Sequence, residues 1–359
     1  YNGMKLCSRG ARPISRANGI ADIERMCAAD PAAESGAAGV ERGELQEVDV
    51  LDAYSAHVAS FVKSPGGVPY EGLTIAIDAA NGMAAYTLPR ILPRLGGLRA
   101  ETLYMDLDCT FPNHEANPIK EKNLDPVREL VKEHGATLGV GFDGDADRCC
   151  FVDEAGVTVP ADLMTALLAR EFLRQNPGAP IVYDLRSSWV VKEAVLEAGG
   201  RPIRDRVGHS FIKATMREQG AVFAGELSGH FYFRDNYVCD SGVIAMVCAL
   251  NLLVREGRPL SELAQDLRRY HATGEINFRV ADKGLAIAAL RQRYAAGRQD
   301  ELDGITVEFG DLGDDEWWWF NVRASNTESL LRLNLEASHP GLRDARRDEI
   351  VAQLGEIVG

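Results

Sequence analysis

The chain has 359 residues, 46% of them apolar and 26% charged, and a formal net charge of −14. That length exceeds what one core usually serves and implies about two to four domains; the acidic balance excludes non-specific nucleic-acid binding, because phosphate backbones would be repelled. No apolar run is long enough to span a bilayer, and an anionic substrate would need a locally basic pocket.

The chain opens on "YNGMK", an Asn-Gly turn and a short apolar piece with no starting Met. Residues 20–29 and 48–63 read as helices, with the Ala/Gly/Glu-rich 31–44 as a loop between them and 64–72 ("SPGGVPYEG") as a linker. Strand and helix signals then alternate. "LTIAIDAANG" is an apolar strand ending in Asp78, "MAAYTLPRIL" a helix and "ETLYMD" a strand. "DPVRELVKEHG" is a helix stopped by Gly135, and "ATLGVGFDGD" a further strand. This order predicts a parallel sheet with crossover helices. The pattern restarts with a periodic helix over 162–176 and the strand "APIVYDLRSSW"; "TIAIDAANG" and "PIVYDLRSS" read as one element of two similar domains. After 256–275 come short strands, a helix-like 283–297, three adjacent Trp and a final helix over 342–358, which together suggest a smaller α+β domain. The seven cysteines (7, 27, 109, 149, 150, 239 and 248) are odd in number and lack C-x-x-C spacing, which predicts reduced thiols in a cytosol.

Three loops carry chemistry. In "GVGFDGDADR" a strand delivers Asp143, Asp145 and Asp147 at alternate positions around Gly144. Carboxylates this close repel one another unless a cation sits among them, and hard oxygen ligands suit Mg²⁺ or Ca²⁺; the plainer reading is a solvated acidic turn. An EF-hand is excluded, because Arg148 stands at the sixth position, where that loop needs Gly, and a strand precedes it. Arg148 beside a cation suggests a phosphate held by both. In "GELSGH", Glu226 and Ser228 could grip a vicinal diol and His230 could move protons near neutral pH; alone, the segment also reads as a structural turn. In "RASNTESLLRLNLE" a strand runs into Ser325, Asn326 and Thr327, and a second strand alternating Leu331, Leu333 and Leu335 leaves. Arg323 and Arg332 are candidate phosphate clamps there, against a simple hairpin. Arg186 past a strand end and His209 in "VGHSFIK" are fainter candidates, and "FPNHEANP" (111–118) reads as a structured loop.

In this order and at these separations the three loops resemble those of the α-D-phosphohexomutase superfamily over essentially the whole chain. The bacterial phosphomannomutase/phosphoglucomutase branch is the nearest in pattern. The glucosamine-phosphate branch usually has Gln where Leu227 stands and Gly where Asn326 stands, and the animal-type phosphoglucomutases lack the "SGH" ending. One departure is Ser329, where the family usually has Pro.

The resemblance implies related three-layer α/β domains and a smaller C-terminal α+β domain around a central cleft. The domains would cover 1–64 as the end of a first domain, 65–157 with the metal loop, 158–268 with the sugar loop and 269–359 with the phosphate loop. The family's "YNG-x-K" stretch follows the loop bearing the catalytic serine. This implies that most of the first domain, serine included, lies upstream of the given chain, with Lys5 matching the lysine beside the phosphoserine. The implied reaction interconverts hexose 1-phosphate and hexose 6-phosphate, of mannose or glucose, through a phosphoserine and a hexose 1,6-bisphosphate intermediate that also serves as activator. Mg²⁺ would bind Asp143, Asp145 and Asp147, and Arg148 would assist transfer. Lys5 and His230 would move protons, while Glu226 and Ser228 would hold sugar hydroxyls. Arg323, Ser325, Asn326, Thr327 and Arg332 would hold the distal phosphate, with Arg186 and His209 lining the cleft. The last domain would close over the ligand by hinge motion. The implied protein is a cytoplasmic monomer that takes a small phosphosugar and no nucleic acid or membrane. A non-catalytic sugar-phosphate-binding protein and a metal-dependent sugar phosphatase are the alternatives.

Overall fold

The computed structural model describes residues 4–29, 43–63, 68–311, 314–325 and 330–355. The expected loop at 31–44 and linker at 64–72 therefore lie partly outside the described residues. The chain starts with a small antiparallel ribbon, β1 (Cys7–Ser8) and β2 (Arg12–Pro13). Arg217 ties it down by donating to the Ala11 carbonyl at 3.1 Å, and Lys5 just precedes it. Helix α1 (Ile20–Ala28) falls where the sequence predicts it. The second helix is shorter than the expected 48–63: α2 spans Leu51–Ala59. It starts late because the Asp49 carboxylate accepts the Leu51 N–H at 2.8 Å and keeps Asp49 ahead of the first turn.

The first α/β unit runs β3 (Thr74–Asp78), α3 (Met83–Ile91), β4 (Arg99–Leu103), α4 (Asp125–His134), β5 (Leu138–Phe142), β6 (Cys149–Val152) and β7 (Thr158–Val159). Its strand order is β4-β3-β5-β6-β7. Strand β3 is parallel to both β4 and β5, whereas β5–β6 and β6–β7 are antiparallel. The expectation of a parallel sheet thus holds for three strands only. The segment between β5 and β6 is too short to carry a crossover helix, so the chain must turn straight back.

The second unit runs α5 (Ala161–Gln175), β8 (Pro180–Asp184), α6 (Trp189–Glu197), β9 (Arg201–Asp205), α7 (His209–Gln219), β10 (Phe223–Gly225), β11 (Phe231–Phe233), β12 (Cys239–Asp240), α8 (Gly242–Glu256) and α9 (Leu260–Gln265). Its order, β9-β8-β10-β11-β12, and its mix of parallel and antiparallel pairs repeat the first unit. The two similar peptides are therefore equivalent strands, β3 and β8, each ending in a buried aspartate. One apolar core runs through both units. Helix α8 is apolar on every side and buried along most of its length, because it packs against α2, α5 and β6 together.

The C-terminal unit comprises β13 (His271–Phe278), α10 (Lys283–Arg293), β14 (Arg298–Asp300), β15 (Ile305–Phe309), β16 (Trp318–Ala324), β17 (Leu331–Ala337) and α11 (Pro340–Leu354). Its sheet, β13-β17-β16-β15-β14, is antiparallel throughout and has its own core. The seam with the second unit is aromatic: Trp189 stacks on Trp317 with ring centroids 4.4 Å apart, and Tyr270 packs edge-on. The buried Glu336 crosses the seam, accepting the Trp189 backbone N–H and the Trp319 indole N–H, each at 2.9 Å.

Candidate active site

Strand β5 is buried from end to end, so it carries Asp143 down to 2% exposure at its tip. Arg148, at the far end of the same turn, donates its backbone N–H to Asp143 at 3.1 Å and its Nε at 2.7 Å. The turn closes through Ala146, which adopts the left-handed conformation at φ 59°. Asp143, Asp145 and Asp147 each bring a carboxylate oxygen into one cluster within 4.8 Å. Lys5 lies against it, donating to Asp145 at 3.1 Å and to Asp147.

Strand β10 performs the same service in the second unit, where Glu226 is 1% exposed. One Glu226 oxygen accepts the Gly208 N–H at 2.9 Å and the other accepts the Tyr232 hydroxyl. Ser228 is hydrogen-bonded to His230 Nδ1 at 2.9 Å, next to the buried Glu226.

The two loops then meet. Arg148 and His230 form an antiparallel bridge, and the Cys149 N–H donates to the Gly229 carbonyl at 3.1 Å. Gly229 has φ 84°, and a Cβ there would stand 2.8 Å from the Cys149 carbonyl oxygen, so only glycine permits this approach. Across the junction, His230 Nε2 lies 3.4 Å from Asp147 Oδ1. Asp147 therefore faces Lys5 on one side and His230 on the other.

These contacts set the charges. Burial and the neighbouring Asp147 push Asp143 up. Burial would also raise Asp147, but His230 and Lys5 outweigh it and hold that carboxyl well below the usual range. The partners respond in kind. Burial disfavours the charged forms of Lys5 and His230, yet Asp147 raises both, with Asp145 adding to the first and Glu226 to the second. Lys5 is thus held as a cation by the two aspartates in this arrangement. Burial and the charge of Lys213 hold His209, the first residue of α7, below the ordinary histidine value.

The third group gathers at the edge of the C-terminal sheet. Arg323 on β16 and Arg332 on β17 are direct cross-strand partners. Both donate to Glu275, at 3.1 Å and 3.0 Å. Arg186, two residues past β8, is clasped by Asp184 at 2.6 Å and reaches within 4.0 Å of Glu275. Ser325 is buried and closes the turn base through its N–H to the Leu330 carbonyl at 2.9 Å. Asn326, Thr327 and Ser329 lie outside the described residues. The 111–118 segment is a structured loop as expected, pinned by His114 to Asp78 at 2.9 Å. Sequence reading missed Glu275, Tyr232 and Asp184. The last had a signal, since it occupies the same strand-end position as Asp78.

Models of the phosphoglucomutase/phosphomannomutase family match three successive segments: alpha/beta/alpha domain II over residues 52–156, alpha/beta/alpha domain III over 160–270 and the C-terminal domain over 275–353. A phosphomannomutase of Salmonella montevideo is 38% identical over 364 residues, covering 99% of this chain and 77% of that protein. A phosphomannomutase of Escherichia coli K12 is 37% identical with the same coverage. The crystal structure of a phosphoglucomutase/phosphomannomutase family protein from Burkholderia thailandensis superposes with a TM-score of 0.76 at 32% identity, over 88% of this chain and 67% of that one.

Proposed function

Since this chain belongs to the phosphoglucomutase/phosphomannomutase family and is a hexose-phosphate mutase, we propose that it interconverts the 1- and 6-phosphates of mannose or glucose at the junction of the Asp143–Arg148 and Glu226–His230 loops. The observation that carries this reading is the sharing of Asp147 between Lys5 and His230. It brings a hard-oxygen cluster, a fixed cation and a titratable imidazole to one point. Phosphoryl transfer asks for that combination, because it depends on positioning and charge neutralisation more than on covalent help.

The residues present fit Mg²⁺: three carboxylates converge with all-oxygen donors, and the Lys5 ammonium already lies where positive charge is wanted. Held by Asp143, Asp145 and Asp147, the ion would neutralise phosphoryl oxygens and, by competing for Asp147, let His230 fall toward its neutral form. Arg148, fixed by Asp143, adds a guanidinium for the same oxygens. His230 takes the proton from the attacking sugar hydroxyl, oriented by its Nδ1 contact to Ser228. Lys5 stabilises developing negative charge. Glu226 and Ser228 receive sugar hydroxyls, and His209 and Arg186 line the approach. Arg323, Arg332, Ser325, Asn326 and Thr327 hold the distal phosphate. Hexose 1,6-bisphosphate is the intermediate and activator, formed by a phosphoserine. We read the protein as a cytosolic monomer, and its seven free thiols suit a reducing compartment; no helix among the described residues is long and apolar enough to cross a membrane.

Because the sugar must bind in two orientations, the distal phosphate site is the common anchor. Arg323→Ala should therefore weaken glucose 1-phosphate and glucose 6-phosphate alike, by about tenfold to a hundredfold in KM. Steady-state kinetics in both directions checks this, and loss of one substrate alone would reject the shared anchor.

A further inference from the structure

The distal arginines are not bare. Arg323 and Arg332 stand directly opposite each other on β16 and β17, an arrangement in which like charges repel. Arg186 adds a third guanidinium, and its charge together with burial pulls Arg323 below the ordinary arginine value. Arg323 is 3% exposed, and its Nε is a buried donor with no acceptor among the described residues. Into this group the neighbouring strand inserts one carboxylate. Pairing of β13 with β17 slips between Ala272 and Glu275, where Gly274 takes φ 70°. A bulge of this kind re-aims the side chain that follows it. Glu275 Oε1 accepts from Arg332 at 3.0 Å; its Oε2 accepts from Arg323 at 3.1 Å and lies 4.0 Å from Arg186.

We propose that Glu275 is a positioning residue of the mutase reaction, an internal counter-anion that gathers the distal arginines before the ligand arrives and limits how tightly they hold its phosphate. The inference rests on the distal-phosphate reading given above. Three uncompensated guanidiniums would bind a phosphate dianion strongly in the ground state. Such binding lowers KM without helping the chemical step. It is a particular hindrance here, because the bisphosphate must let go, turn and be gripped again by its other phosphate. Asp184 on Arg186, Glu275 on the other two and Asp303 near Arg323 offset most of that charge, and an incoming phosphate displaces one carboxylate contact as it makes its own.

The test is calorimetric titration of the full-length protein with glucose 6-phosphate, with turnover measured in parallel. Glu275→Gln keeps the shape and removes the charge. It should bind about tenfold tighter, with a steeper loss of affinity on adding salt. Its kcat should fall together with KM, a split that a purely structural defect would not produce. Glu275→Asp draws the charge back from the arginines, so its affinity should lie between native and Gln, and it carries the test if the Gln variant fails to fold. Equal or weaker binding in both variants, while Arg323→Ala still weakens binding, would overturn the counter-anion role and leave the phosphate anchor standing. Unchanged binding in Arg323→Ala would remove the anchor and this inference with it.

Discussion

In the first α/β unit the middle strand β5 is followed at once by Asp143, and in the second the equivalent strand β10 by Glu226. Both carboxylates are buried at the same point of the same topology. In the first unit the following turn adds Asp145, Asp147 and Arg148, and the cluster becomes a place for a cation. In the second the turn adds Ser228 and His230, and Glu226 is satisfied by neutral donors, the Gly208 N–H and the Tyr232 hydroxyl. The strand-end aspartates diverge likewise: Asp78 faces His114, whereas Asp184 clasps Arg186. The helices that follow are anchored differently too. The α3 N-terminus donates from Met83 to the Gly144 carbonyl of its own unit at 2.9 Å, while the α6 N-terminus donates from Trp189 to Glu336 of the C-terminal unit. The sheet supplies a buried acid at a fixed place, and a handful of residues after it decide which partners that acid meets.

The largest effect expected from this contrast is at the junction. Asp147→Asn removes one oxygen donor and the charge shared by Lys5 and His230, so turnover should fall about a thousandfold and its magnesium dependence should flatten. A coupled mutase assay over a magnesium series measures both, and near-native activity would show the loops to be independent. Next is the difference in helix anchoring, since only the second unit's anchor titrates. Burial in the seam holds Glu336 at about 7, above the ordinary 4.5. The folded state therefore keeps this proton longer than the unfolded chain. Stability from that difference is complete below about 4.5 and is lost as pH climbs through about 7, on the order of 3 kcal/mol in all. Glu336→Gln should gain on the native chain between pH 5 and pH 8; melting curves that run parallel over that range would contradict the sign. Smallest is the separation of duties. Glu226→Gln should raise the KM for phosphosugar about tenfold and leave magnesium affinity unchanged, whereas a matching loss of magnesium affinity would mean the two carboxylates serve one site.

Much of this contrast could be read in the sequence, because the informative residues lie next to one another. The apolar runs of β3, β5 and β8 each end in an acid, and alternate aspartates around a glycine already look like a cation turn. The parts that could not be read join residues far apart in the chain. The antiparallel return of β6 follows from a short connection, which the helix-and-strand rhythm conceals. Glu275 meets Arg323 and Arg332 only through the register of three strands and a bulge, and nothing in "TGEIN" marks it as their partner. Lys5 and His230 carry raised pKa values because both lie beside Asp147, residues that the chain separates by most of two units. Chemical identity is local in this protein, while protonation state is not.

The aromatic seam between the second and C-terminal units has an optical consequence. The chain has four tryptophans. Trp189, Trp317 and Trp319 cluster in that seam, while Trp318 faces the C-terminal core, stacked on Phe309 at 4.6 Å. Indoles 4.4 Å apart couple as excitons, so near-ultraviolet dichroism of the Trp189–Trp317 pair depends on the angle between the two units. Trp318 supplies a constant internal reference. Any change in that angle can therefore be followed by the intrinsic ultraviolet signal of the unlabelled chain.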